Sequence, residues 1–469
     1  MQRISTDICI IGAGSGGLSV AAGAAQMGAR VVLIEGAAMG GDCLNYGCVP
    51  SKALLAAGRA AQVIRMGAPG VQGAAPQIDF AAVKAQVAVV IAQIAPLDSQ
   101  ERFEGFGVQV IRAYARFTSP REVEAGGKVI RARRFVIATG SHPTIPQLPG
   151  LEAIPYLTNE TIFAQTERPD HLLILGGGPI AIEMAQAHRR LGCAVTVIAR
   201  SRVLSRADPE AVAVVLTTLR AEGVEVLEGR DIARLLPTPQ GLEAVLNDGT
   251  TLTGSHLLIA TGRTPAIAKL NLPAAGVAYS DKGVTVGANL RSSNRRIYAV
   301  GDVAGGLQFT HVAGAHAGVV IKQMLFCLPA KQASVVPMVT YTDPELAQIG
   351  LTEAEARAKY PGVQVIRQEF SHNDRAVTDG KTAGFLKLML LKDRPVGVTL
   401  VGAGAGELIG LWALAMTSGL KVGALAGMIA PYPTRGEISK RAAGAYFSPK
   451  LFDNMVVKRV VRLVQRLLP

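Results

Sequence analysis

The chain has 469 residues, 49% hydrophobic but only 5% aromatic, with 52 glycines; this is too long for one ordinary core and predicts two or three domains of layered α/β packing. Its formal charge of +13 attracts anions in general, but no arginine-rich run interleaved with aromatics, no zinc-knuckle and no helix-turn-helix spacing occurs, which argues against nucleic acid as the main partner. Five cysteines are too few for a secreted disulfide framework, so a cytoplasmic protein with reduced thiols is expected.

The first element reads Asp7-Ile-Cys-Ile-Ile-Gly12-Ala-Gly14-Ser-Gly-Gly17, then a small-residue helix to Gly28 and a strand Val31-Val-Leu-Ile-Glu35. The uncharged run Ile8 to Ala29 could pass for a leader or membrane span, but its ordered glycines favour a nucleotide loop. Gly12 permits the tight turn, Gly14 lets backbone approach a pyrophosphate at the helix N-terminus, and Gly17 allows close helix-to-strand packing. Glu35 ends the second strand, where it can accept from ribose hydroxyls.

Next comes Gly40-Gly41-Asp42-Cys43-Leu44-Asn45-Tyr46-Gly47-Cys48-Val49-Pro50-Ser51-Lys52. On a regular helix, residues five apart have Cα atoms about 8 Å apart and point about 140° away from each other, beyond disulfide reach. A bond between Cys43 and Cys48 therefore needs a local distortion, which Gly47 can supply. Pro50 suits the first turn of a helix running through Leu55, which puts Cys48 near a positive dipole end and favours its thiolate. A zinc half-site and two unrelated buried cysteines are the competing readings.

The glycine grammar returns at His171-Leu-Leu-Ile-Leu-Gly176-Gly-Gly178-Pro-Ile-Ala181-Ile-Glu183, followed by a strand Ala194 to Ile198. Here the terminal acid is missing. Ala199-Arg200 closes the strand, with Arg202 and Arg206 beyond, and arginines there meet a ribose 2′-phosphate, so NADPH is favoured over NADH. Two nucleotide units suit transfer between two cofactors, although glycines alone do not say which unit holds which. Cys9, Cys193 and Cys327 are each read as core packing. At the far end, Val456, Val457, Val460, Val461, Val464, Leu467 and Leu468 share one helical face, while Lys458, Arg459, Arg462 and Arg466 crowd the other. That basic amphipathic helix suits an acidic membrane surface, a partner, or docking on its own domain.

The cysteine segment resembles the active-site signature of the class I pyridine-nucleotide disulfide oxidoreductases, and further matches extend the resemblance over nearly the whole chain. Phe135-Val-Ile-Ala138-Thr139-Gly140 and Leu257-Leu-Ile-Ala-Thr261-Gly262-Arg263 resemble the segments crossing between FAD and NAD(P) domains. Arg296-Ile-Tyr-Ala-Val-Gly301-Asp302 resembles the second FAD motif, whose aspartate bonds the ribityl chain. From about Pro337 onward the chain, with Thr342-Asp343-Pro344-Glu345, resembles the interface domain.

The resemblance implies two Rossmann-like nucleotide-binding domains and a C-terminal α+β dimerisation domain, assembled as a homodimer. The boundaries expected are 1–150 and 265–335 for the FAD domain, 151–264 for NAD(P), 336–453 for the interface, and 454–469 for the basic helix. It further implies FAD at Gly12, Gly14, Gly17, Glu35, Gly41, Thr139, Gly140 and Asp302, the nicotinamide cofactor at Gly176, Gly178, Ala181, Arg200 and Arg206, and cofactor contact from Arg263 at the crossing between the two domains. Cys43 is then the interchange cysteine, Cys48 the flavin-side cysteine, and Lys52 a flavin neighbour paired with Glu183. No resident metal is read.

One motif departs. Disulfide-reducing members place a proton-carrying histidine before Pro-Thr and a glutamate; here the run is Pro431-Tyr432-Pro433-Thr434-Arg435-Gly436-Glu437. Tyr432 stands at the histidine's place, and a phenol with an ordinary pKa near 10 is a poor base at neutral pH. Glu437 matches the glutamate. Mercuric reductases share the tyrosine and the Ala199-Arg200 ending, yet no cysteine follows Cys327 here to match their C-terminal pair. The expected enzyme passes electrons from NAD(P)H through FAD and Cys43/Cys48 to a disulfide, a metal ion or another small acceptor. The alternatives are dihydrolipoamide dehydrogenase proper, a mercuric reductase-like metal reductase, or a membrane- or partner-docked redox subunit at the inner membrane face.

Overall fold

The computed structural model describes residues 2–468. The chain divides into two units, one comprising the chain up to Arg200 with Val226–Ser334, the other Ser201–Glu225 with everything from Val335.

In the first unit, strand Gln2–Ile11 lies parallel to Val31–Glu35 on one side and Lys128–Ile137 on the other. Its residues are covered on both faces: Ile8 and Ile10 enter one apolar cluster, Cys9 and Ile11 the opposite one. That is why the strand reads as an unbroken hydrophobic run and not an alternating one. Lys128–Ile137 is long enough to take two partners along its far edge. Glu122–Ala125 pairs antiparallel with its first half, and Ile297–Ala299 pairs parallel with its last residues, Ile297 opposite Phe135. Helix Ser15–Gln26 is poor in side-chain volume because it is crowded: a Cβ on Gly16 would stand 3.1 Å from Val300, and one on Gly23 would stand 2.5 Å from Ile321 of helix Thr310–Phe326.

A second sheet in this unit is centred on His171–Leu175, flanked by Ala194–Ala199 and by His256–Ile259, with Tyr156–Leu157 beyond the latter. Its central strand is parallel to both neighbours, and helix Pro179–Arg190 follows it with Pro179 in the first turn, the position where a missing N–H costs nothing.

The second unit is a five-stranded antiparallel sheet in the order Pro337–Thr340, Glu345–Gly350, Arg394–Gly402, Phe385–Leu391, Gln364–Glu369. Helices Ala405–Thr417 and Glu437–Ala445 share its core, and buried Trp412 donates its indole N–H to Ser439 Oγ at 3.1 Å. Ser201–Glu225 groups here because buried Lys387 holds Asp208 at 3.0 Å and Glu210 at 2.8 Å, with Glu353 at 2.9 Å. Helix Met455–Leu467 follows, and Pro469 lies outside the described residues.

Of the three cysteines read as core, Cys9 and Cys193 are fully buried, and burial pushes both thiols up, Cys193 to about 11. Cys327 is a correction: it is exposed. The helix stops at Phe326, and Cys327 caps it with a left-handed φ of 55° that turns the side chain to the surface.

Candidate functional site

The glycine turn is built by close approach. A Cβ on Gly12, which has φ +107°, would lie 2.3 Å from the Ala138 carbonyl oxygen, and one on Gly17 would lie 1.9 Å from the Gly12 carbonyl. Gly14 caps helix Ser15–Gln26 with neither a side-chain cap nor an acid in the first turn, so the first N–H groups and the positive dipole end face outward together. Glu35 accepts from the backbone N–H of Ala13 through Oε2 and of Ala37 through Oε1, both at 2.6 Å, leaving further lone pairs on each oxygen. This cradle fits the pyrophosphate and ribose of FAD.

Gly41 touches the same turn. With φ +60°, its added Cβ would meet Gly14 Cα at 2.7 Å, and Gly40 N–H donates to Ala13 O at 2.9 Å. The cysteine segment is thus pinned onto the glycine loop. Its short helix Gly41–Asn45 ends, and a new one, Cys48–Met66, starts after Gly47. The break falls at Gly47, the residue that could supply the distortion a Cys43–Cys48 bond would need. Gly47 passes so near the first helix that a Cβ would sit 2.9 Å from Asp42 Oδ2.

Cys48 opens the long helix, and its sulfur lies 3.2 Å from Thr310 Oγ1. The Cys43 thiol hydrogen-bonds to it, and this bond, with help from Thr310 and Lys52, lowers the Cys48 pKa to about 6. The same bond, then burial, drive Cys43 the other way. The pair is thus driven apart in acidity, Cys48 downward and Cys43 upward. Lys52, a turn later, reaches buried Glu183 with Nζ 2.9 Å from Oε2.

Sequence reasoning missed a clamp around Arg263. Its guanidinium is only 12% exposed and lies 3.0 Å from Asp42 Oδ1 and 3.7 Å from Asp302 Oδ2, while Nε donates to Ser141 Oγ at 2.7 Å. Ser141 in turn donates to Asp302 at 2.5 Å. Burial raises the Asp302 pKa against the pull of Ser141 and Arg263. Asn159 completes the group by donating to Asp42 Oδ1 at 2.9 Å and to Tyr46 O at 3.2 Å. Arg263 therefore ties the residue beside Cys43 to the second expected FAD motif. Thr139 and Gly140 lie at the crossing, where Thr139 Oγ1 donates to Ala266 O at 2.8 Å.

The second glycine turn repeats the first. Gly176, φ +133°, stands with its Cβ position 2.2 Å from Ala260 O, as Gly12 does with Ala138. Gly178 caps helix Pro179–Arg190, and Ala181 is fully buried one turn inside. Arg200 is exposed at the end of Ala194–Ala199 in the first unit; Arg206 is exposed in the second.

Tyr432 and Glu437 also belong to the second unit. Tyr432 is 70% exposed, and its hydroxyl donates to Asp374 Oδ2 at 2.9 Å, a bond that raises its pKa further. Glu437 is bound through Oε1 to Arg441 at 3.2 Å, while its Oε2 is buried with no hydrogen-bond partner among the described residues. Arg441 also approaches Asp374 at 3.5 Å, joining the two sequence-predicted residues in one cluster.

A family model described as pyridine nucleotide-disulphide oxidoreductase matches residues 6–317, and the dimerisation domain of that family matches residues 336–443. A mercuric reductase of Streptomyces lividans is 36% identical over 458 residues, covering 94% of this chain and 96% of its own length. The mercuric reductase of Lysinibacillus sphaericus is 34% identical, covering 93% and 82%. Among solved structures, the Cu(II) complex of the HOCl-induced flavoprotein disulfide reductase RclA from Escherichia coli is similar with a TM-score of 0.85 and 27% identity, over 93% of this chain and 99% of that one.

Proposed function

Since the chain belongs to the pyridine nucleotide-disulphide oxidoreductase family and is an FAD-dependent oxidoreductase, we propose that it is a homodimeric, cytoplasmic NADPH-dependent reductase whose Cys43/Cys48 pair delivers electrons to a soft metal ion. The observation that carries this reading is Tyr432, whose hydroxyl is committed to Asp374 and whose pKa is raised. A group so held does not shuttle a proton at neutral pH, and reduction of a thiolate-bound cation requires no proton returned to a leaving thiol. The similarity to mercuric reductases and to a reductase solved with Cu(II) supports the same choice.

In this reading Gly12, Gly14, Gly17, Gly41 and Glu35 hold the FAD pyrophosphate and ribose, Asp302 the ribityl chain, and Arg263, Thr139 and Gly140 fix the segments between. When bound, FAD supplies the two-electron relay between nicotinamide and the cysteine pair. Gly176, Gly178 and Ala181 receive NADPH, with Arg200 at its 2′-phosphate. Lys52, oriented by Glu183, and Thr310 keep the Cys48 sulfur anionic. Cys43 keeps the proton until a cation arrives and releases it to solvent as its sulfur binds the metal. Two soft sulfurs suit a thiophilic cation, and Hg(II) to Hg(0) consumes the two electrons of one NADPH, whereas Cu(II) to Cu(I) takes one each.

The test is an anaerobic acceptor screen of the yellow protein with Hg(II), Cu(II), lipoamide, glutathione disulfide and quinones. Metal-dependent NADPH oxidation should exceed that with either disulfide. Faster turnover of lipoamide or glutathione disulfide than of both metals sinks the metal reading. Cys48→Ser should abolish the long-wavelength band of the reduced protein, and Arg200→Ala should erase a preference for NADPH over NADH.

A further inference from the structure

Helix Met455–Leu467 takes no part in the chemistry above, yet its surface is sharply divided. At about 100° per residue, Val456, Val460, Val461, Leu463, Val464 and Leu467 fall within one half of the circumference, whereas Lys458, Arg459, Arg462 and Arg466 fill the other. The apolar half is uncovered, with Val456 66%, Leu463 56% and Leu467 72% exposed. No acid occurs from Asn454 to Leu468. The start is fixed by Asn454, whose Oδ1 accepts from the N–H groups of Val456 and Val457 at 2.9 and 3.3 Å.

Thirteen residues make a helix of about 20 Å, short of the roughly 30 Å hydrocarbon layer, so it cannot span a bilayer. A helix of that length is marginal alone in water and gains its stability by burying an apolar face. A second copy of the helix would gather the cations of both segments with no acid on either to neutralise them. Nucleic acid would use the cations and leave the valines and leucines in water. An anionic lipid surface accepts both halves at once, the apolar side at the acyl boundary and the long Lys and Arg stems reaching back to the phosphates.

We propose that Met455–Leu467 is an in-plane anchor that docks the protein on an anionic phospholipid surface. Leu451 and Phe452, 50% and 68% exposed just before it, add apolar contact at its entry. The proposal is independent of which acceptor the cysteine pair reduces.

Flotation of the full-length flavoprotein with phosphatidylcholine vesicles, with and without phosphatidylglycerol, tests it. The protein should rise with the anionic vesicles only, and added salt should release it. Each cation replaced in a Lys458→Gln, Arg459→Gln, Arg462→Gln, Arg466→Gln series should weaken binding by about fivefold. Val460→Asp with Val464→Asp should leave the protein unbound while its NADPH oxidation and circular dichroism away from vesicles stay those of the parent. Failure of the parent to bind anionic vesicles overturns the anchor, as does equal binding by the aspartate variant. A lower mass of the aspartate variant in sedimentation also overturns it, by showing that a second copy covers this face.

Discussion

Replacing Cys43 by alanine removes the largest influence on its neighbour. The hydrogen bond from Cys43 is the leading cause of the Cys48 pKa of about 6, ahead of Thr310 and Lys52, against an ordinary value of 9.0. At pH 7 a thiol of pKa about 6 is about nine-tenths thiolate. Cys43→Ala should raise the Cys48 pKa and shrink that fraction, because the main donor is gone while only the lesser help of Thr310 and Lys52 remains. The sign follows from the direction of the shift: the parent holds its thiolate down to about pH 6, and the variant loses it as pH falls below its own higher value. The assay is iodoacetamide labelling of the reduced protein across pH 5 to 10, with mass spectrometry to assign each modified cysteine. An unchanged Cys48 midpoint in Cys43→Ala, or a low-pKa thiol found at Cys43 in the parent, would refute the assignment of donor and thiolate.

Arg263→Met strands the carboxylates of Asp302 and Asp42 around an apolar side chain; a loss of roughly 3 kcal/mol and less FAD per chain are expected, read by thermal melting and absorbance, with Arg263→Lys intermediate. Gly17→Ala forces a methyl against the Gly12 carbonyl and should yield protein that is colourless as purified, with a cost of about 1–3 kcal/mol or more; full flavin content would contradict the cradle. Tyr432→Phe should leave the pH profile of NADPH oxidation unchanged between pH 6 and 9, because the raised pKa keeps the phenol protonated throughout; loss of a limb in that range would restore Tyr432 as a base. Lys387→Met leaves buried Asp208 unpaired and should lower stability by roughly 3 kcal/mol, seen as a shift of the urea midpoint.

What the sequence disclosed was local. Gly12, Gly17 and Gly176 were readable because a few residues of spacing impose the turn, and a break at Gly47 was readable as what a Cys43–Cys48 bond would need. Thr310 was not readable: it reaches the Cys48 sulfur from 262 positions away, and a threonine opening a helix has no distinguishing neighbour pattern. Arg263 could be seen as part of a motif, but its grip on Asp42 depends on how two distant loops meet. Asp374 was hidden from Tyr432 in the same way. Cys327 shows the opposite error, for the apolar run before it continues a helical pattern that the left-handed turn at Cys327 itself ends.

The seam along Lys128–Ile137 has a consequence for biosynthesis. Its last residues pair with Ile297–Ala299, and the strands of another complete sheet lie between them in the chain. On the ribosome, that edge emerges and waits while the intervening sheet is made, a long-range closure of the kind that folds slowly. Asp302 and Thr310 leave the exit tunnel later still. A nascent chain therefore carries Cys43 and Cys48 through most of its synthesis without Thr310 beside the Cys48 sulfur or Asp302 beside Arg263, and the surroundings of the cysteine pair are completed only late in translation.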